Sequence, residues 1–170
     1  NRKNIPAKKI RIKDWDCYEA LSPDLCLSFI IADVGYFGMA TCDLLDIKND
    51  ERKGSLAVKM FTKGSLNMPL TSEEGDLSFS NKKMGMIFKK DGPHTVISVD
   101  DPTFNKGEGI KGQVTFYFDP HLESIVNVIP FKKKKHYVYV QKIMGMRVAG
   151  EVKVGEKTYT IDDRHQGYLD

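Results

Sequence analysis

The feature that most restricts this chain is a period-two alternation of apolar and polar side chains, repeated in short runs almost from end to end. In GEGIKGQVTFYFD, Gly107 to Asp119, the apolar residues Ile110, Val114, Phe116 and Phe118 fall on one parity, and Lys111, Gln113, Thr115 and Asp119 on the other. Successive side chains of a strand point to opposite faces, so this run is a strand with one face in a core. The same pattern returns in LSFS (Leu77, Phe79), KMGMIFKK (Met84, Met86, Phe88), HYVYVQK (Tyr137, Tyr139 against Val138, Val140), RVAGEVKVG and KTYTID. Turn-forming clusters such as SPD, KND, EEGD, KDGP, DDP and VGEK separate the runs. Their spacing of roughly 8–12 residues favours an all-β sandwich or barrel over alternating helix and strand. Val152 to Tyr159, with Gly155-Glu156 between two strand halves, reads as a two-residue hairpin. Residues 39–53 also fit a helix, because Ala40, Leu44 and Ile47 recur about one turn apart.

In LCLSFIIADVGYFG the residues from Leu25 to Val34 are apolar on both parities. One face of such a strand meets the core, and a partner domain, a second subunit or a bound apolar ligand should cover the other. With 170 residues and 41% hydrophobic content, the chain has enough material for one domain with its own core and needs no disulfides. No internal repeat or linker divides it, so residues 1–170 read as a single domain.

Composition excludes several function classes. Lys+Arg 26 against Asp+Glu 23 leaves +3, too little to steer the whole molecule toward nucleic acid or an anionic membrane, although local basic runs remain possible. Cys17, Cys26 and Cys42 form no Cys-x-x-Cys, and His94, His121, His136 and His165 have no zinc-ligand spacing, so no metal is expected. Free thiols point to a reducing, cytoplasmic setting. No apolar run reaches the ~18 residues of a membrane span, and no apolar stretch follows the basic start as a signal peptide would require. The opening residue is Asn1 and not methionine, as expected of a piece of a longer protein. Phosphate-binding loops are absent: the glycines of GEGIKG lead into a strand and not a helix, so no cofactor is expected.

Three residues are candidates for acid–base chemistry. Asp33 follows a long apolar stretch, and a buried carboxylate must be paired or hydrogen-bonded, either as a turn cap before Gly35 or as a cavity group beside Tyr36. Lys142 ends an apolar strand, and a lysine held in an apolar cavity would have a lowered pKa. The run FKKKKHYVYVQK mixes lysines with Tyr137 and Tyr139; it suits a stacking surface for single strands, but a solvated loop on a lysine-protected edge explains it more simply, and no nucleic-acid partner is expected.

The ordered series Trp15, Tyr18, SFIIADVGYFG, Pro130, YVYVQK, AGEVKVG and GYLD resembles the N-terminal half of the family called domain of unknown function 2804, over nearly the whole chain. Family members often carry a proline near Arg147 or Val148, which this chain lacks. In the family the segment matching GYLD runs on into a tryptophan- and glycine-arginine-rich motif followed by a second β-rich half, so the resemblance makes Asp170 the first residue of that motif, part of a site at the domain junction. The family is in turn distantly similar to the carotenoid 1,2-hydratase group, whose lipocalin-like barrels hold apolar ligands.

The resulting expectation is an all-β, antiparallel lipocalin-like barrel or strongly curved half-barrel, the N-terminal part of a two-domain protein that binds or acts on a hydrophobic small molecule of lipid or isoprenoid type. Phe29, Phe37, Phe116, Phe118, Tyr137 and Tyr139 would line its cavity, and Asp33, Tyr36, Lys142 and Asp170 would supply acid–base groups. The alternative is a barrel plugged by its own side chains that docks on a protein or anionic surface through Lys132 to Lys135.

Overall fold

A computed structural model describes residues 5–170; Asn1, at which the chain opens, lies outside them. The alternating runs become twelve strands: β1 (Asp14–Leu21), β2 (Leu25–Asp33), β3 (Phe37–Asp46), β4 (Glu51–Met60), β5 (Leu77–Ser80), β6 (Gly85–Asp91), β7 (His94–Asp101), β8 (Ile110–Tyr117), β9 (Ser124–Pro130), β10 (Tyr137–Val154), β11 (Lys157–Ile161) and β12 (Gln166–Leu169). Every pairing is antiparallel. The hydrogen-bonded path runs β4-β3-β2-β1-β12-β10-β8-β7-β6-β5, with β9 and β11 attached to β10. This sheet curls into a lipocalin-like half-barrel. Residues 39–53 are β3, a turn and the start of β4: Ala40, Cys42 and Leu44 face the core in strand alternation, and tertiary burial overrides the helical spacing.

The inner face holds the core. Phe29 and Leu27 of β2, Phe79 of β5, Met86 of β6, Ile97 of β7, Phe116 of β8 and Val148 of β10 are buried together. Tyr18 of β1 sets its ring edge-on to Phe88 at 5.3 Å and Phe116 at 5.1 Å. Burying a side chain of this size is worth about 1.5–3 kcal/mol, so the inner face is a packed core in this conformation. One end is closed by the turn at Phe104, which is fully buried, with Lys53 of β4 bonded to Glu108 at 2.8 Å and 3.0 Å beside it. The other end is crossed by residues 61–76, which join the two edge strands β4 and β5 and place Met68 in the core.

The outward face of β2 is also screened. Ala32 is 2% exposed although it points away from the core, in register between Trp15 of β1 and Met39 of β3, with Val58 of β4 next in the row. The second apolar parity of β2 therefore belongs to an apolar outer row that runs across four strands.

β10 is the seam of the sheet. One of its edges takes β9 and then β8, the other β12 and then β11. The register slips between Met144 and Met146, with Gly145 at φ +80° as the extra residue. Such a bulge switches which parity faces inward. Ile143 faces the core before it and Met146 and Val148 after it, so Lys142 and Met144 point outward. From Tyr137 to Lys142, β10 pairs with β9 and not with β8 or β12, and the two strands extend beyond the sheet as a ribbon.

Candidate functional site

The parity that buries Met84, Met86 and Phe88 continues to Lys90 at the end of β6. Its ammonium is half-buried and donates to the carbonyl of Ser72 at 2.6 Å and to the Thr95 hydroxyl at 2.8 Å. Thr95, itself buried, lies 3.2 Å from the Tyr18 hydroxyl. Loss of water pushes the Lys90 pKa down, against a weaker opposing pull from Asp16, Glu73 and Asp76. Burial holds the Tyr18 phenol well above its ordinary value, so it stays protonated. A short polar chain, Lys90–Thr95–Tyr18, is thus set into an aromatic wall under residues 61–76.

Asp33 fastens the other side of that covering segment. Its Oδ1 accepts from the Gly35 N–H at 2.9 Å and the Thr62 hydroxyl at 2.7 Å, and its Oδ2 from the Leu66 N–H at 3.2 Å. Burial would raise its pKa, but the hydrogen bonds from Thr62, Gly35 and Leu66 overrule it and hold the carboxyl below the usual range. Phe61, Lys63 and Asn67 adopt φ of 56°, 53° and 52°. Left-handed backbone at non-glycine residues persists where surrounding contacts impose it, at about 1–3 kcal/mol each. The segment is therefore held in shape by Asp33 at one side and by Lys90 and Gln141, both bonded to Ser72, at the other.

The acid–base candidates divide between two faces. Asp33 is on the inner face, and Tyr36 is 54% exposed at the strand end, with the Lys13 ammonium 3.8 Å over its ring. Lys142 and Asp170 are on the outer face. Lys142 Nζ donates to Asp170 Oδ2 at 2.5 Å and to the Tyr168 hydroxyl at 2.7 Å. These two partners raise the Lys142 pKa, the Asp170 carboxylate most, which reverses the lowered value expected for a lysine in an apolar cavity. Asp170 pairs through its backbone with Cys17 of β1, and its Oδ1 is buried without a partner. The Cys17 thiol is pushed up to about 12, first by burial and then by Glu19, which favours its protonated form. Beside Tyr168 an open cleft of about 410 Å³ is lined by Leu21, Pro23, Met144, Arg164 and Gln166.

Of the six aromatic candidates, Phe29 and Phe116 are buried in the core and Phe118 packs against it. Tyr137 and Tyr139 lie on the side of β10 that carries Ile143 inward, but beyond the end of the sheet and exposed. Phe37 pairs with Met60 on the outward parity, away from the other five. Lys90, Thr95 and Tyr168 were not singled out from the sequence. A signal existed for two of them: extending the parity of KMGMIFKK by one step places Lys90 inward, and Tyr168 shares a strand face with Asp170.

Fold and site together define a curled, all-antiparallel half-barrel with an aromatic inner end, a polar chain set into it and a latched covering segment. The chain belongs to the family named domain of unknown function 2804, whose model matches residues 1–170. No curated protein and no solved structure matches it. No helix among the described residues is long and apolar enough to cross a membrane.

Proposed function

We propose that the domain binds a hydrophobic small molecule of the lipid or isoprenoid class at the inner end of the half-barrel. Its apolar part packs against Phe116 and Phe118, and an anionic or hydrogen-bond-accepting head meets Lys90. The observation that carries this reading is Lys90 itself: a half-buried ammonium with a depressed pKa, held by Thr95 and a carbonyl beside an aromatic wall. A charge is costly there, and a bound acceptor would stabilise it. Met68, from residues 61–76, is buried in the core beside this end, so in this reading entry of the ligand displaces that segment.

The resemblance to the carotenoid 1,2-hydratase group extends the proposal to acid–base chemistry on such a ligand. In that reaction a proton goes to one carbon of a double bond and water adds to the other, losing its own proton to a base. A lysine of depressed pKa beside the apolar chain is suited to the first transfer.

The test is a titration with cis-parinaric acid, a fluorescent polyene fatty acid, and with its methyl ester. Lys90→Met is expected to weaken the acid about tenfold, the effect of losing one charge-assisted hydrogen bond, and to weaken the uncharged ester, which can only accept a hydrogen bond, clearly less. Equal affinity of wild type and variant for the acid would refute the assignment of Lys90 to the head group.

A further inference from the structure

We infer that the β9–β10 ribbon is a docking element for an anionic lipid surface. From Ser124 to Gly150 the chain contains no acidic residue. The turn at the tip carries Lys132, Lys133, Lys134 and Lys135, and none of the four forms an ion pair with a described residue. Arg11 adds a further cation, its guanidinium donating to His136 Nε2 at 3.3 Å. The turn is built: the Phe131 N–H bonds the His136 carbonyl at 2.9 Å, the His136 N–H bonds the Lys133 carbonyl at 3.1 Å, and Lys135 takes φ 64°. Four cations without an ion-pair partner among the described residues are thereby held together at one point.

Behind them the ribbon is apolar on both faces. Val128 and Tyr139 are opposite each other on one face, Ile129 and Val138 on the other, with Phe131 at the turn. Phe131 is 57% exposed and Ile129 51%. Both-sided apolar exposure directly behind a cationic tip fits a bilayer interface, where lysines meet lipid phosphates and aromatic rings sit at the headgroup level. The three residue pairs behind the turn, Pro130–Tyr137, Ile129–Val138 and Val128–Tyr139, span about 10 Å at ~3.4 Å per residue, the upper end of the ~5–10 Å to which interfacial elements bury. A single-stranded nucleic acid would use the lysines and tyrosines but has nothing to offer the aliphatic side chains on either face. The ribbon rises from the end of the half-barrel where Gln141 meets Ser72 at 3.4 Å, so docking would set the proposed ligand entrance against the membrane. The inference rests on the ribbon's own chemistry and stands apart from the role of Lys90.

The experiment is co-sedimentation of the full chain with phosphatidylcholine vesicles, with and without about 30% phosphatidylserine, over a salt series. Binding to the anionic vesicles alone is expected, falling steeply as salt rises. Lys132→Glu/Lys134→Glu should weaken it more than about 25-fold, taking about fivefold for each lysine lost, and Phe131→Ser should weaken it several-fold. All three positions are exposed, so the variants should keep the wild-type melting temperature and parinaric acid affinity, which separates this result from any failure of the ligand assignment. Equal binding to neutral vesicles, binding unmoved by these variants, or no vesicle binding beside capture of a single-stranded oligonucleotide or self-association through the ribbon would each overturn the inference.

Discussion

At the scale of single residues, burial and partners decide which titratable groups can act. Lys90 and Lys142 both end apolar runs, yet one has lost water without gaining a carboxylate at bonding distance, and the other donates to Asp170. Their pKa values accordingly move in opposite directions. Asp33 is a latch: Asp33→Ala would strand the Thr62 hydroxyl and the N–H groups of Gly35 and Leu66, at a cost of about 2–3 kcal/mol. Limited proteolysis should then cut within residues 61–76 sooner than elsewhere, with a lower melting temperature. The pH dependence has a definite sign. The folded pKa of Asp33 is depressed, so its contribution is complete above the unfolded value of about 4 and is lost as pH falls through the folded value. Acid-induced cutting of this segment should be pronounced in the wild type and weak in Asp33→Ala, where the segment is already released.

At the scale of elements, the bulge at Gly145 determines which residues share a face. Gly145→Ala adds a Cβ that meets nothing closer than Leu122 at 3.6 Å, so its cost is the φ of +80° and not a clash. A loss of about 1–2 kcal/mol is expected, read as a lower denaturation midpoint with an unchanged slope. The strands were legible because alternation is a local property: Val114 and Phe116 announce their face by sequence alone. The bulge was not, since a single glycine between Met144 and Met146 does not reveal that the register slips there. That slip puts Lys142 outward, and a one-residue change of register reverses every such assignment. Asp33 was legible as a buried carboxylate before a glycine turn. Its bonds to Thr62 and Leu66 were not, because they cross from β2 to a segment about thirty residues away, a partner choice that only the closed sheet makes.

At the scale of the whole molecule, the half-barrel is closed at one end by Phe104 and the Lys53–Glu108 pair and at the other by a strained segment held at both sides. The closures differ in kind. Phe104 is a fully buried plug, whereas residues 61–76 combine the buried Met68 with a few polar bonds to Asp33, Lys90 and Gln141. The central claim is that this second end takes up an apolar compound. It is tested most directly by native mass spectrometry of the protein purified gently from its source, followed by denaturing extraction of whatever is bound. The account predicts one apolar, lipid-like compound per chain, lost or strongly depleted in Lys90→Met. A chain that is empty in every preparation, or whose bound compound is retained undiminished by Lys90→Met, would contradict it.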